Sequence, residues 1–139
     1  MFSQILVPTD FSKKHASPLE IATNIATKYK STIHLLHVVE IIADTTFTEY
    51  EDFYNKLEKR AQKQMQNLIA TYEGKPVHIV PHISYGNRVQ EILKFSREND
   101  IGLIIMNSHK VELKNPIQSW GTISYKVALL SESPVMLVK

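Results

Sequence analysis

A short apolar run followed by a polar stretch is the feature that most constrains how this chain folds. Residues Ile101–Met106 are almost entirely apolar, which is typical of a strand buried on both faces of a parallel sheet. The chain then turns polar at Asn107 and reaches Gly121–Thr122 at the start of a helical pattern. In parallel α/β proteins, ligands bind beyond the carboxyl end of such a strand, next to the following helix N-terminus. We therefore expect the functional site here.

The remaining apolar segments predict four more strands. They alternate with segments of helical spacing, so the pattern is β-α-β-α-β-α-β-α-β over a single domain, residues 1–139. This alternation predicts a parallel sheet with helices on both faces. The first and fourth strands end at Asp10 and Asn107, which we expect to flank the topological switch point. The predicted strands are Ile5–Val7, Thr32–Val39, Val77–Ile83, Ile101–Met106 and Val135–Val138.

Four helices are predicted from apolar residues spaced three or four apart. The first begins with a capping box of Ser17 and Glu20, and the third begins at Asn87 as N-cap. The second runs from about Phe47 to Tyr72, after a loop around residues 41–46, and the last from about Thr122 to Ser131. The residues predicted to face the core are Leu19, Ala22, Ile25, Ala26 and Tyr29; Phe47, Tyr50, Tyr54, Leu57, Ala61, Met65, Leu68 and Tyr72; Val89, Ile92, Leu93 and Ser96; and Ile123, Val127 and Leu130.

The third strand is expected at an edge of the sheet, because Pro81 cannot donate a hydrogen bond to a second neighbouring strand. His78 and His82 lie four residues apart in it and share a face. Their separation of about 13 Å is too long for one metal ion, so we interpret them as solvent-facing side chains.

Composition excludes several classes of function. The chain has 139 residues, a net charge of +2 and no cysteine, so disulfides, thiolate metal sites and thiol nucleophiles are excluded. No basic run supports nucleic-acid binding, so we expect no nucleic-acid partner. Neither a signal peptide nor an apolar segment of roughly 20 residues is found, so we expect a cytoplasmic protein without a membrane partner. Because no nucleophile elbow, Walker loop or metal-ligand spacing occurs, and Ser108 and His109 are adjacent, we predict no catalytic residue and no metal ligand.

Several motifs together resemble a single-domain universal stress protein, and the resemblance covers essentially the whole chain. It implies a Rossmann-like fold of the adenine nucleotide alpha hydrolase-like type, with a five-stranded parallel sheet of order 3-2-1-4-5. It also implies a cytoplasmic role in the stress response and a homodimer formed through Val135–Val138. The motifs that carry the resemblance are Ile5–Ser12, Leu35–Val38, Leu103–His109, Gly121–Thr122 and Ser133–Lys139.

One branch of that family binds ATP and another does not, and the stretch after the fourth strand separates them. Binding members carry glycine, two residues, glycine, nine residues, then glycine with serine or threonine. Here Asn107 and Lys110 replace the first two glycines, and ten residues separate Lys110 from Gly121. Lys110 either fills the space of the phosphates or pairs with one of them.

The resemblance implies a nucleotide site with an adenosine half and a phosphate half. Asp10 and Val38 match contacts to adenosine, and Gly121, Thr122 and Ile123 match contacts to phosphate. The full set of candidate binding residues is Pro8, Thr9, Asp10, Val38, Met106, Asn107, His109, Lys110, Gly121, Thr122 and Ile123.

Two hypotheses about function follow. In the first, the chain is a non-catalytic dimeric stress protein that binds ATP weakly or not at all and acts through protein partners. In the second, it is a nucleotide-binding regulatory module that takes ATP, with magnesium, in a variant phosphate loop. The replaced glycines and the altered spacing favour the first.

Overall fold

The computed structural model describes residues 1–12, 17–41, 48–108 and 122–139. Its five strands form one parallel sheet of order β3-β2-β1-β4-β5, so the predicted α/β fold class is confirmed. The Pro81-containing strand lies at one edge, as predicted, and the C-terminal strand lies at the other. The strands are β1 (Gln4–Pro8), β2 (Thr32–Glu40), β3 (His78–Gly86), β4 (Leu103–Asn107) and β5 (Val135–Val138).

Four described helices cover the two faces of the sheet. On one face, α1 and α2 bury Leu19, Ala22 and Met65 against the odd-numbered residues of β1. On the other face, α3 and α4 bury Ile92 and Val127 against Leu6, Leu36 and Ile104. Helices on both faces are what the alternating sequence pattern predicted. The helices are α1 (Pro18–Tyr29), α2 (Glu51–Ala70), α3 (Arg88–Glu98) and α4 (Ile123–Leu130).

The predicted core stripes hold in the middle of the helices and are wrong at three positions at helix ends. Tyr29, Tyr50 and Leu130, all predicted to be buried, are exposed. Each is the terminal residue of a helix or the residue before one. In α4 the buried residues are Val127 and Ser124. Phe47 and the predicted loop of residues 42–46 lie outside the described residues.

Capping differs between the two helices for which it was predicted. Asn87 caps α3 as expected, because its side-chain oxygen accepts a hydrogen bond of 3.1 Å from the backbone N–H of Gln90. Ser17 is the N-cap residue of α1, but its side chain forms no capping hydrogen bond. The predicted capping box is therefore wrong. The backbone oxygen of Ser17 instead accepts hydrogen bonds from Glu20 and Ile21.

The interpretation of both β3 histidines as solvent-facing is wrong for one of them. His78 is exposed, but His82 is half-buried beneath α3, with its ring 4.6 Å from that of Phe95. The Nε2 atom of His82 lies 3.0 Å from Nδ1 of His34, and Nε2 of His34 lies 2.6 Å from Oε1 of Gln4. An edge strand still has one face covered by a helix, and this face is the one that His82 occupies.

No helix within the described ranges is long and apolar enough to cross a membrane.

Candidate functional site

A cavity of about 310 Å³ lies at the carboxyl edge of the sheet, on the face covered by α3 and α4. The ends of β1, β2 and β4 form its floor, and the N-termini of α3 and α4 form its sides. Its position at the neighbouring ends of β1 and β4 is the switch point at which parallel sheets bind ligands. The described residues that line it are Pro8, Thr9, Asp10, Ser12, Leu36, Val38, Arg88, Ile92, Met106, Asn107, Ser108, Thr122, Ile123 and Ser124.

The structure brings together every predicted site residue that it describes. Three of the predicted residues, His109, Lys110 and Gly121, lie outside the described part of the chain. The eight predicted residues found around this one cavity are Pro8, Thr9, Asp10, Val38, Met106, Asn107, Thr122 and Ile123.

Local hydrogen bonds at the end of β1 fix the position of Asp10. The backbone N–H of Thr9 donates to the oxygen of Leu36 (2.8 Å), and the oxygen of Thr9 lies 2.8 Å from Nδ1 of His37. The backbone N–H of Phe11 donates to Oγ1 of Thr9 (3.0 Å). Phe11 has a φ of 63°, a left-handed conformation that turns the chain sharply after Asp10. The carboxylate of Asp10 is thereby held at the cavity.

The charge of Asp10 is set by its immediate neighbours. Partial burial alone would raise the pKa of its carboxyl, but hydrogen bonds from Ser12 and the positive charge of Arg88 outweigh this effect, so the pKa lies below its ordinary value of 3.8. One of these bonds is from the backbone N–H of Ser12 to Oδ1, at 2.9 Å. The guanidinium of Arg88 also lies 3.6 Å from Oε1 of Glu40. Asp10 is therefore a carboxylate that accepts hydrogen bonds at neutral pH.

The opposite end of the cavity is formed by hydroxyl groups and the N-terminus of α4. Thr122 is the N-cap residue, but its side chain forms no capping hydrogen bond and instead lies 3.3 Å from the hydroxyl of Ser124. No acidic residue occupies the first turn of the helix. Because the first-turn N–H groups of a helix have no intrahelical partner, this end of the cavity favours an anion.

Six described lining residues were missed by sequence reasoning, and Arg88 is the most consequential. It is the first residue of α3, directly after Asn87 at the carboxyl end of β3. The sheet order places β3 two strands from β1, and α3 then crosses back over β2 towards the cavity. The helix-start signal at Asn87, combined with that order, is the signal that would have found it. The missed residues are Ser12, Leu36, Arg88, Ile92, Ser108 and Ser124.

A second cavity, of about 540 Å³, lies on the opposite face of the sheet, between α1 and α2. Four residues line both cavities, so the ends of β1 and β4 separate them: Pro8, Thr9, Ser12 and Asn107. The described residues that line the second cavity include no charged side chain. The first cavity, with Asp10 and Arg88, is therefore the better candidate for a charged ligand. Within the described ranges, no group of three or more His, Asp or Glu side chains is arranged to hold a metal ion.

Comparison with known proteins identifies the family. The model of the universal stress protein family matches residues 1–139. The chain belongs to the universal stress protein family. It is 27% identical over 150 residues to universal stress protein YxiE of Bacillus subtilis, with both chains fully covered. It is 29% identical over 157 residues to universal stress protein MJ0577 of Methanocaldococcus jannaschii, covering 100% of this chain and 96% of that one.

Solved structures of the family share this fold. The MJ0577 structure superposes with a TM-score of 0.73 at 30% identity, covering 100% of this chain and 96% of that one. A universal stress protein from Archaeoglobus fulgidus in complex with dAMP gives a TM-score of 0.69 at 19% identity, with both chains fully covered. A universal stress protein in complex with cAMP gives a TM-score of 0.66 at 15% identity, covering 99% of this chain and 96% of that one. At these last two identities the likeness shows the fold alone.

Proposed function

We propose that this universal stress protein binds an adenine nucleotide in the cavity at the carboxyl ends of β1 and β4. The observation that carries the proposal is the convergence of eight predicted binding residues on one cavity of about 310 Å³, a volume within the range of small-molecule sites. Family members of the same fold bind dAMP and cAMP, which supports an adenine nucleotide as the ligand class. This is the second of the two hypotheses raised by the sequence.

The polarity of the cavity supports one orientation of the nucleotide. At the β1 end, the Asp10 carboxylate lines the cavity and the positive charge of Arg88 is shared with Glu40, which lies 3.6 Å from it, an arrangement suited to sugar hydroxyls and unsuited to phosphate. At the other end, hydroxyl groups and the α4 N-terminus favour negative charge. The sugar then contacts Asp10, the base lies against Val38 and Leu36, and the phosphate lies at Thr122 and Ile123.

The proposed activity is reversible binding without turnover. Asp10 is ionised at neutral pH, so it accepts hydrogen bonds and has no proton to donate as a general acid. The described lining residues place no histidine and no second carboxylate in the cavity beside it. A bound nucleotide would then act by stabilising one conformation of the protein in the cytoplasm, and protein partners would recognise that conformation.

Isothermal titration calorimetry tests the binding. Wild-type protein is titrated with adenosine, AMP, GMP, and ATP with and without magnesium. We expect heat from AMP, and weaker binding of GMP. Asp10→Asn should weaken both AMP and adenosine about tenfold, because a charged acceptor is lost from the sugar contact. Glu73→Gln, an exposed acidic residue beyond α2, is the matched control and should change neither.

If wild-type protein gives no binding heat with any of these ligands, the proposal is overturned. In that case the first hypothesis, a stress protein that acts through protein partners alone, would stand. Lys110→Gly then tests the role of the lysine in either case. If the wild type does not bind, binding gained in Lys110→Gly would mean that the lysine blocks the phosphate space. If the wild type binds, weaker binding in Lys110→Gly would mean that Lys110 pairs with phosphate.

We also propose that the chain forms a homodimer through Val135–Val138. This strand lies at an edge of the sheet, where its outer backbone groups face away from β4. Apolar side chains are exposed in this strand and at the end of α4, the helix that precedes it: Met136 is 38% exposed, Leu129 78% and Leu130 62%. A second copy of the chain would cover both the strand edge and these side chains, and two-fold symmetry would close the assembly.

Light scattering after size exclusion tests the dimer. Wild-type protein at micromolar concentration should have the mass of two chains, and Leu130→Glu should shift the population towards one chain. Phe53→Glu places the same charge on a comparably exposed apolar residue of α2, on the other face, and should leave the mass unchanged. A wild-type mass of one chain would contradict the proposal.

A further inference from the structure

Three side chains from three different elements meet beside the α4 end of the cavity. The Oγ atom of Ser108 donates to the hydroxyl of Tyr125 at 3.2 Å. The ammonium of Lys139 donates to Oγ of Ser108 at 3.2 Å and to the Tyr125 hydroxyl at 3.4 Å. Two hydroxyls and one cation are thus within hydrogen-bond distance of one another. None of the three was among the residues predicted from the sequence to bind a ligand.

The sheet brings these residues together. Ser108 directly follows β4, and Lys139 directly follows β5. The two strands are paired up to Asn107 and Val138, and the backbone N–H of Ser108 continues the ladder by donating to the oxygen of Val138 at 2.8 Å. Tyr125 is the third residue of α4, so its hydroxyl comes from the same first turn that borders the cavity.

Ser108 connects this cluster to the cavity, because it lines the cavity itself together with Thr122 and Ser124. The ammonium of Lys139 lies one hydrogen bond beyond it. The first turn of α4 contains no acidic residue, and Asp10, the acidic side chain among the described residues that line the cavity, belongs to its other end. The Lys139 charge and the helix dipole therefore add at this end of the cavity.

The cluster already favours negative charge. The hydrogen bond with Ser108, together with the hydrogen bond and charge of Lys139, lowers the pKa of the Tyr125 hydroxyl below its ordinary value of 10.0. Groups that stabilise a phenolate also stabilise other oxyanions. The hydrogen of a serine or tyrosine hydroxyl can reorient towards a new acceptor, so each hydroxyl can donate to a phosphate oxygen when one is present.

We infer that Ser108, Tyr125 and Lys139 form a subsite for a phosphomonoester, with Lys139 supplying its counter-charge. The inference rests on the proposed nucleotide site and specifies which ligand that site prefers. A phosphomonoester such as AMP carries close to two negative charges at pH 7, a cyclic phosphodiester carries one, and a nucleoside carries none. The subsite therefore predicts an order of affinity of AMP, then cAMP, then adenosine.

Calorimetric titration of the full chain with these three ligands tests the subsite. In wild-type protein AMP should bind about tenfold more tightly than adenosine, as expected for a charge-assisted hydrogen bond. Lys139→Gln should remove most of that difference by weakening AMP and should leave adenosine within about twofold. Ser108→Ala should weaken AMP in the same direction. Far-ultraviolet circular dichroism checks that each variant is folded.

Lys126→Gln is the matched control. Lys126 is an exposed residue of the same helix, one position after Tyr125, and it does not line the cavity. Its removal lowers the net charge of the protein by the same amount, so a general electrostatic effect on AMP would appear in both variants. We expect AMP affinity within about twofold of wild type in Lys126→Gln.

The outcomes distinguish failure of the subsite inference from failure of the nucleotide-binding proposal. Equal affinity for AMP and adenosine in wild-type protein, or equal effects of Lys139→Gln and Lys126→Gln, would overturn the subsite and leave the nucleotide proposal standing. Absence of binding by all three ligands would overturn both. A selective loss of AMP affinity in Lys139→Gln supports both.

Discussion

The half-buried pair of His34 and His82 predicts that stability depends on pH. Oε1 of Gln4, which lies 2.6 Å from Nε2 of His34, can only accept, so Nε2 of His34 carries a proton. In the neutral ring, Nδ1 of His34 is then the acceptor, and Nε2 of His82 donates to it across 3.0 Å. Adding a proton to Nδ1 of His34 would set two donors against each other until His82 moved its own proton to Nδ1. The folded structure therefore favours the neutral pair.

The sign of the pH dependence follows from the pKa values. Burial lowers the pKa of both histidines below the ordinary 6.5, and the nearby charges of His82 and His78 lower that of His34 further. The unfolded chain consequently binds more protons than the folded chain between the folded pKa values and 6.5. The free energy of unfolding should fall as the pH falls through that interval. Each histidine contributes at most about 1.4 kcal/mol per pH unit.

His82→Gln is the perturbation that tests this reasoning. Glutamine can still donate a hydrogen bond to His34 but does not titrate, so the slope of unfolding free energy against pH should decrease by the share of one histidine, up to about 1.4 kcal/mol per unit. Urea unfolding followed by circular dichroism, at pH values from 5 to 7.5 and constant protein concentration, measures the slope. His78→Gln, at the exposed end of the same strand, is the control and should keep most of it.

Equal slopes of unfolding free energy against pH for wild type and His82→Gln would refute the reasoning, because His82 would then titrate in the folded protein as it does in the unfolded chain. A slope of opposite sign, with stability rising as the pH falls below 6.5, would refute it as well.

Three further predictions concern stability and are measured by urea unfolding. Gly102→Ala should cost about 1–3 kcal/mol, since its Cβ would overlap the backbone oxygen of Met1. Ile104→Ala, at a fully buried position of β4, should cost about 2–5 kcal/mol, and a loss below 1 kcal/mol would contradict its place in the core. Asn87→Ala should cost about 0.5–2 kcal/mol, because the Asn87 side chain makes a capping hydrogen bond. Ser17→Ala should change stability much less, because the Ser17 side chain makes none, and equal losses in the two variants would contradict the capping geometry.

The fold was predictable because its signals are local and repeated. Apolar runs such as residues 32–39 and 103–106 predict buried parallel strands wherever they occur, and alternation with helices leaves few topologies. The ends of elements were not predictable in the same way. Tyr29 and Leu130 continue the apolar spacing of their helices, yet each is the last helical residue and nothing in the described structure buries it. Periodicity identifies the face of a helix, but it does not show where the facing element ends.

The site was predicted at the strand ends and missed where a helix crosses back over the sheet. Asp10 and Asn107 follow from the rule that parallel strands present their carboxyl ends together, and Val38 follows from the resemblance to the family. The place of Arg88 in the site and the burial of His82 outside it depend instead on the path of α3. This helix starts beyond the edge strand and lies across β2. That path is a tertiary packing result, since neither residue differs locally from an ordinary exposed side chain.

The charge pattern of the cavity bears on how the altered glycine motif is interpreted. Asp10, Arg88 and Lys139 are positioned by the end of β1, the start of α3 and the end of β5, and none of them belongs to the stretch after Asn107 in which the glycines are replaced. Glycines in a phosphate loop supply backbone N–H groups at close range, whereas an ammonium supplies the same attraction without requiring an unusual backbone conformation. A chain that carries a cation at the α4 end therefore depends less on those glycines. This argument supports the proposed nucleotide site, and the AMP affinities of Lys139→Gln and Lys110→Gly, measured side by side, test whether either lysine takes the place of the glycine contacts.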